Sequence, residues 1–198
     1  MPVPDAIAYV RASHPPPPAR VLEIGAGNGE LAAALRNAGY DVTAIDPKGE
    51  APTLPVRLDA LDAKPRSFDA AVAMLSLHHV TPLGRSLRRL SEVLRHGARL
   101  VVDEFDVDLL DERASAWWLD QNGHDKQPAD HVAEMREHLY SVSHIREELA
   151  AWFDLGEPVP GAYFYRWPDR PELRDEEERL IAAGELPAVG TRFSAIRR

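Results

Sequence analysis

Three glycines alternate in Gly25-Ala26-Gly27-Asn28-Gly29, directly after the apolar run Val21-Leu22-Glu23-Ile24 and directly before an Ala/Leu-rich run that begins at Glu30. Glycine adopts backbone conformations that other residues resist and lets the main chain approach a ligand closely. Placed between a strand and a helix, such a loop faces its ligand with the positive end of a helix dipole. A bare strand-to-helix turn is the plainer use of the same residues. The spacing departs from the dinucleotide pattern G-x-G-x-x-G, because the third glycine comes one residue early and Glu30 stands in its place. Glu23, two residues before the first glycine, adds a carboxylate that would repel a pyrophosphate and attract the ammonium of an amino-acid ligand. The alternative for Glu23 is a buried acid satisfied by nearby amides. Asp46 closes a second apolar run 21 positions after Gly25, an offset at which an acid accepts hydrogen bonds from ribose hydroxyls. Asp46-Pro47 is also good turn chemistry.

Groups at this spacing need a scaffold of alternating strands and helices. Residues 5–13 carry a weak amphipathic pattern and read as a short helix, stopped by the proline run 15–18, which favours an extended spacer. Residues 20–24 read as an apolar strand, 30–38 as a helix ended by Gly39, and 42–45 as a second strand. Residues 54–58 are expected as a third strand, although only about seven residues separate it from the second and a parallel crossover normally needs a dozen or more. Residues 68–74, apolar on both faces, predict a buried parallel strand. Residues 83–94 have helical apolar spacing, and 99–105 read as a fifth strand. The alternation predicts a doubly wound α/β sheet. Residues 107–153 break the rhythm; they read as mostly helical and hold Trp117, Trp118, Trp152 and four histidines. Residues 158–167 are expected as a strand, 172–183 as a helix capped by Gly184, and 189–196 as a last strand. There is no internal repeat.

Composition narrows the partners. With 198 residues and 44% hydrophobic content, the chain fits one domain with one core. There is no apolar run of about 18 residues, so no spanning helix and no membrane partner are expected. Met1-Pro2-Val3-Pro4-Asp5 lacks the basic and apolar regions of a secretory signal. The absence of cysteine excludes disulfides and thiolate metal sites and is compatible with a cytoplasmic location. A net charge of −9 makes nucleic acid a poor substrate and serves solubility.

Between residues 20 and 105 the sequence resembles the class I S-adenosylmethionine-dependent methyltransferases. Residues 21–29 look like the first motif of that family, Ala44-Ile45-Asp46-Pro47 like its second, and Leu58-Asp59-Ala60 like its third, where an aspartate contacts the adenine amino group. Ser67-Phe68-Asp69-Ala70-Ala71-Val72 with Leu75-Ser76-Leu77-His78-His79-Val80 looks like the fourth strand and its exit, and residues 90–100 like the following helix, turn and strand. The resemblance implies a Rossmann-like seven-stranded sheet with the last strand antiparallel, formed by residues 186–197 with 158–167 as the strand before it. It implies S-adenosylmethionine as cofactor, held by Glu23, Gly25, Ala26, Gly27, Asn28, Asp46, Pro47, Asp59, Ala60, Leu75 and Ser76. Asp62 competes with Asp59 for the adenine contact, and Asp59 is preferred because it directly follows the expected strand. The sequence departs from the family in the nearly absent helix after Asp46 and in His96-Gly97-Ala98, where Pro-Gly-Gly is usual.

Methyl transfer from a sulfonium requires alignment and exclusion of water, and a base only where the acceptor must lose a proton. Ligands of open α/β sheets sit at the carboxyl ends of the strands, which places His78, His79, Asp103, Glu104 and Asp106 near the reacting centre. His78 and His79 are the candidate bases; the other role for the pair is to cap the next helix and pack under the cofactor. The expected organisation is a single domain: a helix and spacer over 1–19, a cofactor-binding half over 20–106, a helical substrate lid over 107–153 and C-terminal strands over 154–198. Trp117 and Trp118 could wall an apolar acceptor or bury the lid, and Glu104 could face the acceptor. Tyr163, Tyr165 and Trp167 are weaker candidates. His124, His131 and His138 recur every seven residues, but a solvated helix face is expected there rather than a metal site. The expected function is methylation of oxygen, nitrogen or carbon on a small molecule by a monomer or homodimer. A non-catalytic cofactor-binding module and a NAD-dependent oxidoreductase are the alternatives.

Overall fold

The computed structural model describes residues 3–167 and 170–198, so Met1 and Pro2 of the N-terminal reading lie outside the described residues. The chain opens with α1 (Val3–Ser13) and enters the sheet at β1 (Arg20–Ile24). There follow α2 (Glu30–Asn37), β2 (Asp41–Ile45), β3 (Phe68–Met74), α3 (Leu83–Val93) and β4 (Leu94–Phe105). Helices α4 (Glu112–Gln121), α5 (Pro128–His138) and α6 (Val142–Leu149) come next. The chain closes with β5 (Phe153–Leu155), β6 (Val159–Gly161), α7 (Arg174–Ala182) and β7 (Gly190–Arg197). The seven-stranded sheet runs β2-β1-β3-β4-β7-β5, with β6 also paired to β7. Strands β1 to β4 pair in parallel, and β7 runs antiparallel to β4.

The strands are buried on both faces because helices cover both. Leu22 and Ile24 of β1 and Ala71 and Ala73 of β3 point into one cluster with Leu87 and Leu90 of α3 and Ile145 and Leu149 of α6. Val21, Ala70, Val72 and Val101 point the opposite way, toward Val10 of α1 and Leu35 of α2. The strand period of two assigns alternate residues to the two layers. A third cluster joins Phe105 and Val189 to Leu110, Trp118, Val132 and Phe164. Phe105 and Val189 lie where the parallel strands end, so α4 and α5 pack at the carboxyl edge of the sheet.

Two strand expectations are corrected. Residues 54–58 do not form a third strand. Leu54 alone makes a parallel bridge to Ile45, and the chain then turns into a 3-10 helix at Leu58–Ala60. The connection is too short for a helical crossover, and Pro52 and Pro55 remove ladder donors on either side of Leu54. Residues 158–167 form a strand only over Val159–Gly161, and the edge position beside the C-terminal half of β7 belongs to Phe153–Leu155, which begins at the last residue of the segment read as lid. The physical reason is Glu177. Its buried carboxylate accepts from the amides of Tyr163, Phe164 and Tyr165 at 2.7, 2.9 and 3.0 Å. Three successive amides drawn to one carboxylate curl the chain into a 3-10 turn at Phe164–Arg166 instead of extending it. Tyr163, Phe164 and Tyr165 are therefore all buried, where a strand would send Phe164 to the face opposite the two tyrosines.

Candidate active site

The glycine loop is set by contacts that its own spacing permits. Gly25, Gly27 and Gly29 all have positive φ, at 70°, 51° and 77°. A Cβ on Gly25 would lie 2.3 Å from Ser76 Cβ, so the two loops cross there without room for a side chain. A Cβ on Gly27 would meet nothing within 4 Å, so that glycine faces open space. The amides of Gly25 and Ala26 both donate to Ile45 O, at 2.9 and 3.0 Å, which fastens the loop to the end of β2. Asn28 turns its side chain onto Glu30, accepting from the Glu30 amide at 3.3 Å and donating to its carboxylate at 2.9 Å.

Asp46 lies across from the loop. Its Oδ2 accepts from the Gly27 amide at 3.1 Å and its Oδ1 from the Lys48 amide at 2.8 Å. An ionised carboxylate has about four acceptor directions, so two remain for a ligand. Beneath the loop, Glu23 is only 4% exposed, and its Oε2 has no hydrogen-bond partner. Burial lifts its pKa to about 7, with Arg36 opposing in part.

A cavity of about 490 Å³ opens beside the loop, walled among the expected residues by Gly25, Asp46, Pro47, Leu75, Ser76 and His79. Lys48, Arg57, Val80, Thr81 and Ser86 are also on the wall and were not among the expected site residues. Lys48 could have been found by extending the motif at residues 44–47 by one position, and Val80 already closes the motif at residues 75–80. Asp59 and Ala60 are not on this wall. The Asp59 carboxylate is taken by Arg85 at 2.9 Å and Arg57 at 3.0 Å. Arg85 foremost, with Arg57, holds it below the usual carboxylate range. Asp62 lies exposed in the next loop.

The histidine pair divides. His78 is buried, and its Nδ1 donates to Glu104 Oε2. The other carboxylate oxygen of Glu104 accepts from the amides of Ser76 and Leu77 at 3.0 and 2.6 Å. Glu104 is completely buried and absent from the cavity wall, so it braces the turn after β3. Leu75, at φ 56°, is pinned by its amide to Asp103 O at 2.7 Å. His79 reaches the cavity, with its ring centroid 4.2 Å from that of His78. Partial desolvation, with His78 adding to it, holds His79 below the ordinary histidine value. Asp106 sits beyond the end of β4, where burial raises its pKa.

The tryptophans serve packing. Trp118 stacks on His131 and Trp167 at 5.0 and 4.6 Å, and its Nε1 donates to Trp167 O at 2.9 Å. Trp117 packs on Phe164 at 5.9 Å. The solvated-face expectation is corrected for His131, which is buried with Nδ1 2.8 Å from Ser115 Oγ. Trp118 draws it inward from α5. Among the described residues no group of three His, Asp or Glu side chains could hold a metal, and no helix is long and apolar enough to cross a membrane.

A glycine loop after β1, an acid ending β2 and a sheet closed by an antiparallel last strand define a Rossmann-like nucleotide-binding fold of the methyltransferase kind. Residues 3–159 match the methyltransferase domain family, and the chain belongs to it as a class I S-adenosylmethionine-dependent methyltransferase. A ubiquinone biosynthesis O-methyltransferase of Xanthomonas campestris is 29% identical, over 88% of this chain and 79% of that protein. The crystal structure of an S-adenosylmethionine dependent methyltransferase from Mesorhizobium loti superposes with a TM-score of 0.65 at 19% identity, covering 96% of each chain. That of a Burkholderia thailandensis 1,6-didemethyltoxoflavin-N1-methyltransferase, with bound 1,6-didemethyltoxoflavin and S-adenosylhomocysteine, covers 98% of this chain and 77% of that one, at 21% identity and a TM-score of 0.61.

Proposed function

We propose that the cleft at the carboxyl ends of β1, β2 and β3 holds S-adenosylmethionine and passes its methyl group to a small-molecule acceptor, with oxygen as the favoured acceptor atom. The observation that carries the reading is the buried carboxylate of Glu23, left with an unpartnered oxygen under an open glycine loop. Leaving such an atom unsatisfied costs about 1–3 kcal/mol, and an ammonium group, reached directly or through water, would satisfy it. This fits the amino-acid end of the cofactor. The two open acceptor directions on Asp46 suit ribose hydroxyls. Leu58, Val80 and Arg57, whose Nη2 donates to Thr81 O at 2.7 Å, are the wall residues suited to the nucleobase.

When bound, S-adenosylmethionine supplies a methyl group already activated by a sulfonium charge. The chain orients and excludes water. Ser76 and Leu77 are locked by Glu104, so the turn after β3 keeps its shape. His79, held neutral at physiological pH, is the group on the cavity wall suited to receive a proton from a hydroxyl acceptor. His78 positions that ring from behind. Helices α4 and α5, at the carboxyl edge, are the substrate cover in this reading. The oxygen preference is supported by the 29% identical relative, an O-methyltransferase, and small acceptor size by the ligand in the Burkholderia thailandensis structure.

The test is calorimetry with S-adenosylhomocysteine, followed by mass spectrometry of a metabolite extract incubated with isotope-labelled S-adenosylmethionine. Micromolar binding and a labelled methyl ether are expected. Tight binding with no labelled product in repeated extracts would identify a cofactor-binding module instead. His79→Ala is expected to lower kcat for a hydroxyl acceptor by about 10²-fold or more while leaving S-adenosylhomocysteine binding within about twofold.

A further inference from the structure

On the face of the sheet that carries Glu23, the carboxyl edge of β4 holds a charge cluster that the cofactor cleft does not use. Asp103 is fully buried and accepts from two arginines, Arg166 Nη1 and Arg192 Nε, each at 2.7 Å. The Arg166 side chain is 3% exposed; it donates Nη2 to Ala162 O at 2.8 Å, yet its Nε is buried without a partner. Tyr163 and Tyr165 lie 5.7 and 5.4 Å from its guanidinium, and Tyr9 of α1 lies 5.3 Å from that of Arg192. Both arginines line a second cavity, of about 140 Å³, beside Gly161 and Gly190. Arg174 at its rim is balanced by Glu178 at 2.8 Å.

Two guanidinium groups converge on the buried Asp103 beside a small cavity, and the buried Nε–H of Arg166 is left without an acceptor. An oxyanion would satisfy that N–H. A cavity of this volume suits the head of a small anion rather than a whole ligand. The cluster is also tied to the site already described, because the Asp103 carbonyl accepts from the amide of Leu75, which walls the cofactor cavity.

We propose that Arg166 and Arg192 bind the carboxylate of the methyl acceptor, so that the substrate class is a small carboxylate-bearing molecule. This rests on the methyl-transfer reading of the neighbouring cleft. In the full chain saturated with S-adenosylhomocysteine, acetate and benzoate are titrated at constant ionic strength while the Arg166 Nε–H resonance is followed by NMR. Saturable shifts at millimolar concentration are expected, with none from chloride or benzamide. Arg192→Gln is expected to weaken benzoate binding about tenfold or more, with S-adenosylhomocysteine affinity unchanged. A flat titration, equal binding of benzamide, or benzoate affinity unaltered in Arg192→Gln overturns the proposal. Tighter saturation by phosphate assigns a dianion and overturns the carboxylate. Failure of S-adenosylhomocysteine itself to bind refutes the cleft reading instead, so the two failures are distinguishable.

Discussion

Asp46 Oδ2 accepts a hydrogen bond from the Gly27 amide at 3.1 Å, so the acid that ends β2 also holds the middle of the glycine loop. One carboxylate thus shapes the loop and presents its remaining acceptor directions to the cleft. Asp46→Ala is expected to weaken S-adenosylhomocysteine binding by about 1–3 kcal/mol, read by calorimetry. Asp46→Asn should recover less than half of that, because the amide oxygen accepts one contact but its NH2 opposes the other. Unchanged affinity in both variants would remove Asp46 from the site.

Gly25 and Gly27 share a positive φ but not an environment. Gly25→Ala drives a Cβ against Ser76 and is expected to cost about 3 kcal/mol of stability. Gly27→Ala has room and costs only the left-handed backbone, about 1 kcal/mol. Thermal unfolding should therefore separate the two variants. Cofactor binding should be lost in Gly27→Ala even though that variant stays folded, since its methyl occupies the open side of the loop.

Glu23 predicts a pH dependence. Its folded pKa, raised by burial to about 7, exceeds the ordinary value of 4.5. The folded chain therefore keeps a proton that the unfolded chain releases. The contribution to stability is fully present below pH 4.5 and is lost as pH rises through about 7, amounting to about 3 kcal/mol by pH 8. Glu23→Gln should melt higher than the parent chain at pH 8 and alike at pH 4.5. Cofactor affinity should move the other way, rising in the parent chain between pH 6 and pH 8 and staying flat in Glu23→Gln. A parent chain whose affinity is independent of pH would disconnect Glu23 from the ammonium.

His14 acts with the opposite sign. Its ring nitrogens face Val10 O at 3.1 Å and Ala71 O at 3.0 Å, and burial lowers its pKa to about 4. The unfolded chain takes a proton near pH 6.5 that the folded chain refuses. This contribution is present above pH 6.5 and is lost as pH falls toward 4, by about 3 kcal/mol. Chemical denaturation at pH 7 and pH 4.5 should show a smaller drop in His14→Gln than in the parent chain. An equal drop would mean that His14 is not the group that titrates.

The parts of this protein legible in the sequence are those set by neighbours in the chain. Alternating glycines after an apolar strand specify a loop by local backbone freedom, so residues 20–29 were readable as strand, loop and helix start. Asp46 was legible because a strand end and a fixed offset are both linear facts, and the apolar run at 68–74 because burial on both faces leaves no polar position. The tertiary structure decided what depends on partners distant in sequence. Glu177 curls residues 163–165 from 12 to 14 positions away, which no strand propensity at 158–167 could reveal. Glu104, expected to face the acceptor, is drawn instead to the amides of Ser76 and Leu77 and to His78, because a buried carboxylate takes whatever donors the fold brings to it. The same rule sends Asp59 to Arg57 and Arg85 and seats two arginines on Asp103. The sequence by itself specified a glycine loop between a strand and a helix, with Glu23 before it and Asp46 after it. Only folding, by pairing buried charges across the sheet, decided which acids brace the cleft and which remain free to meet a ligand.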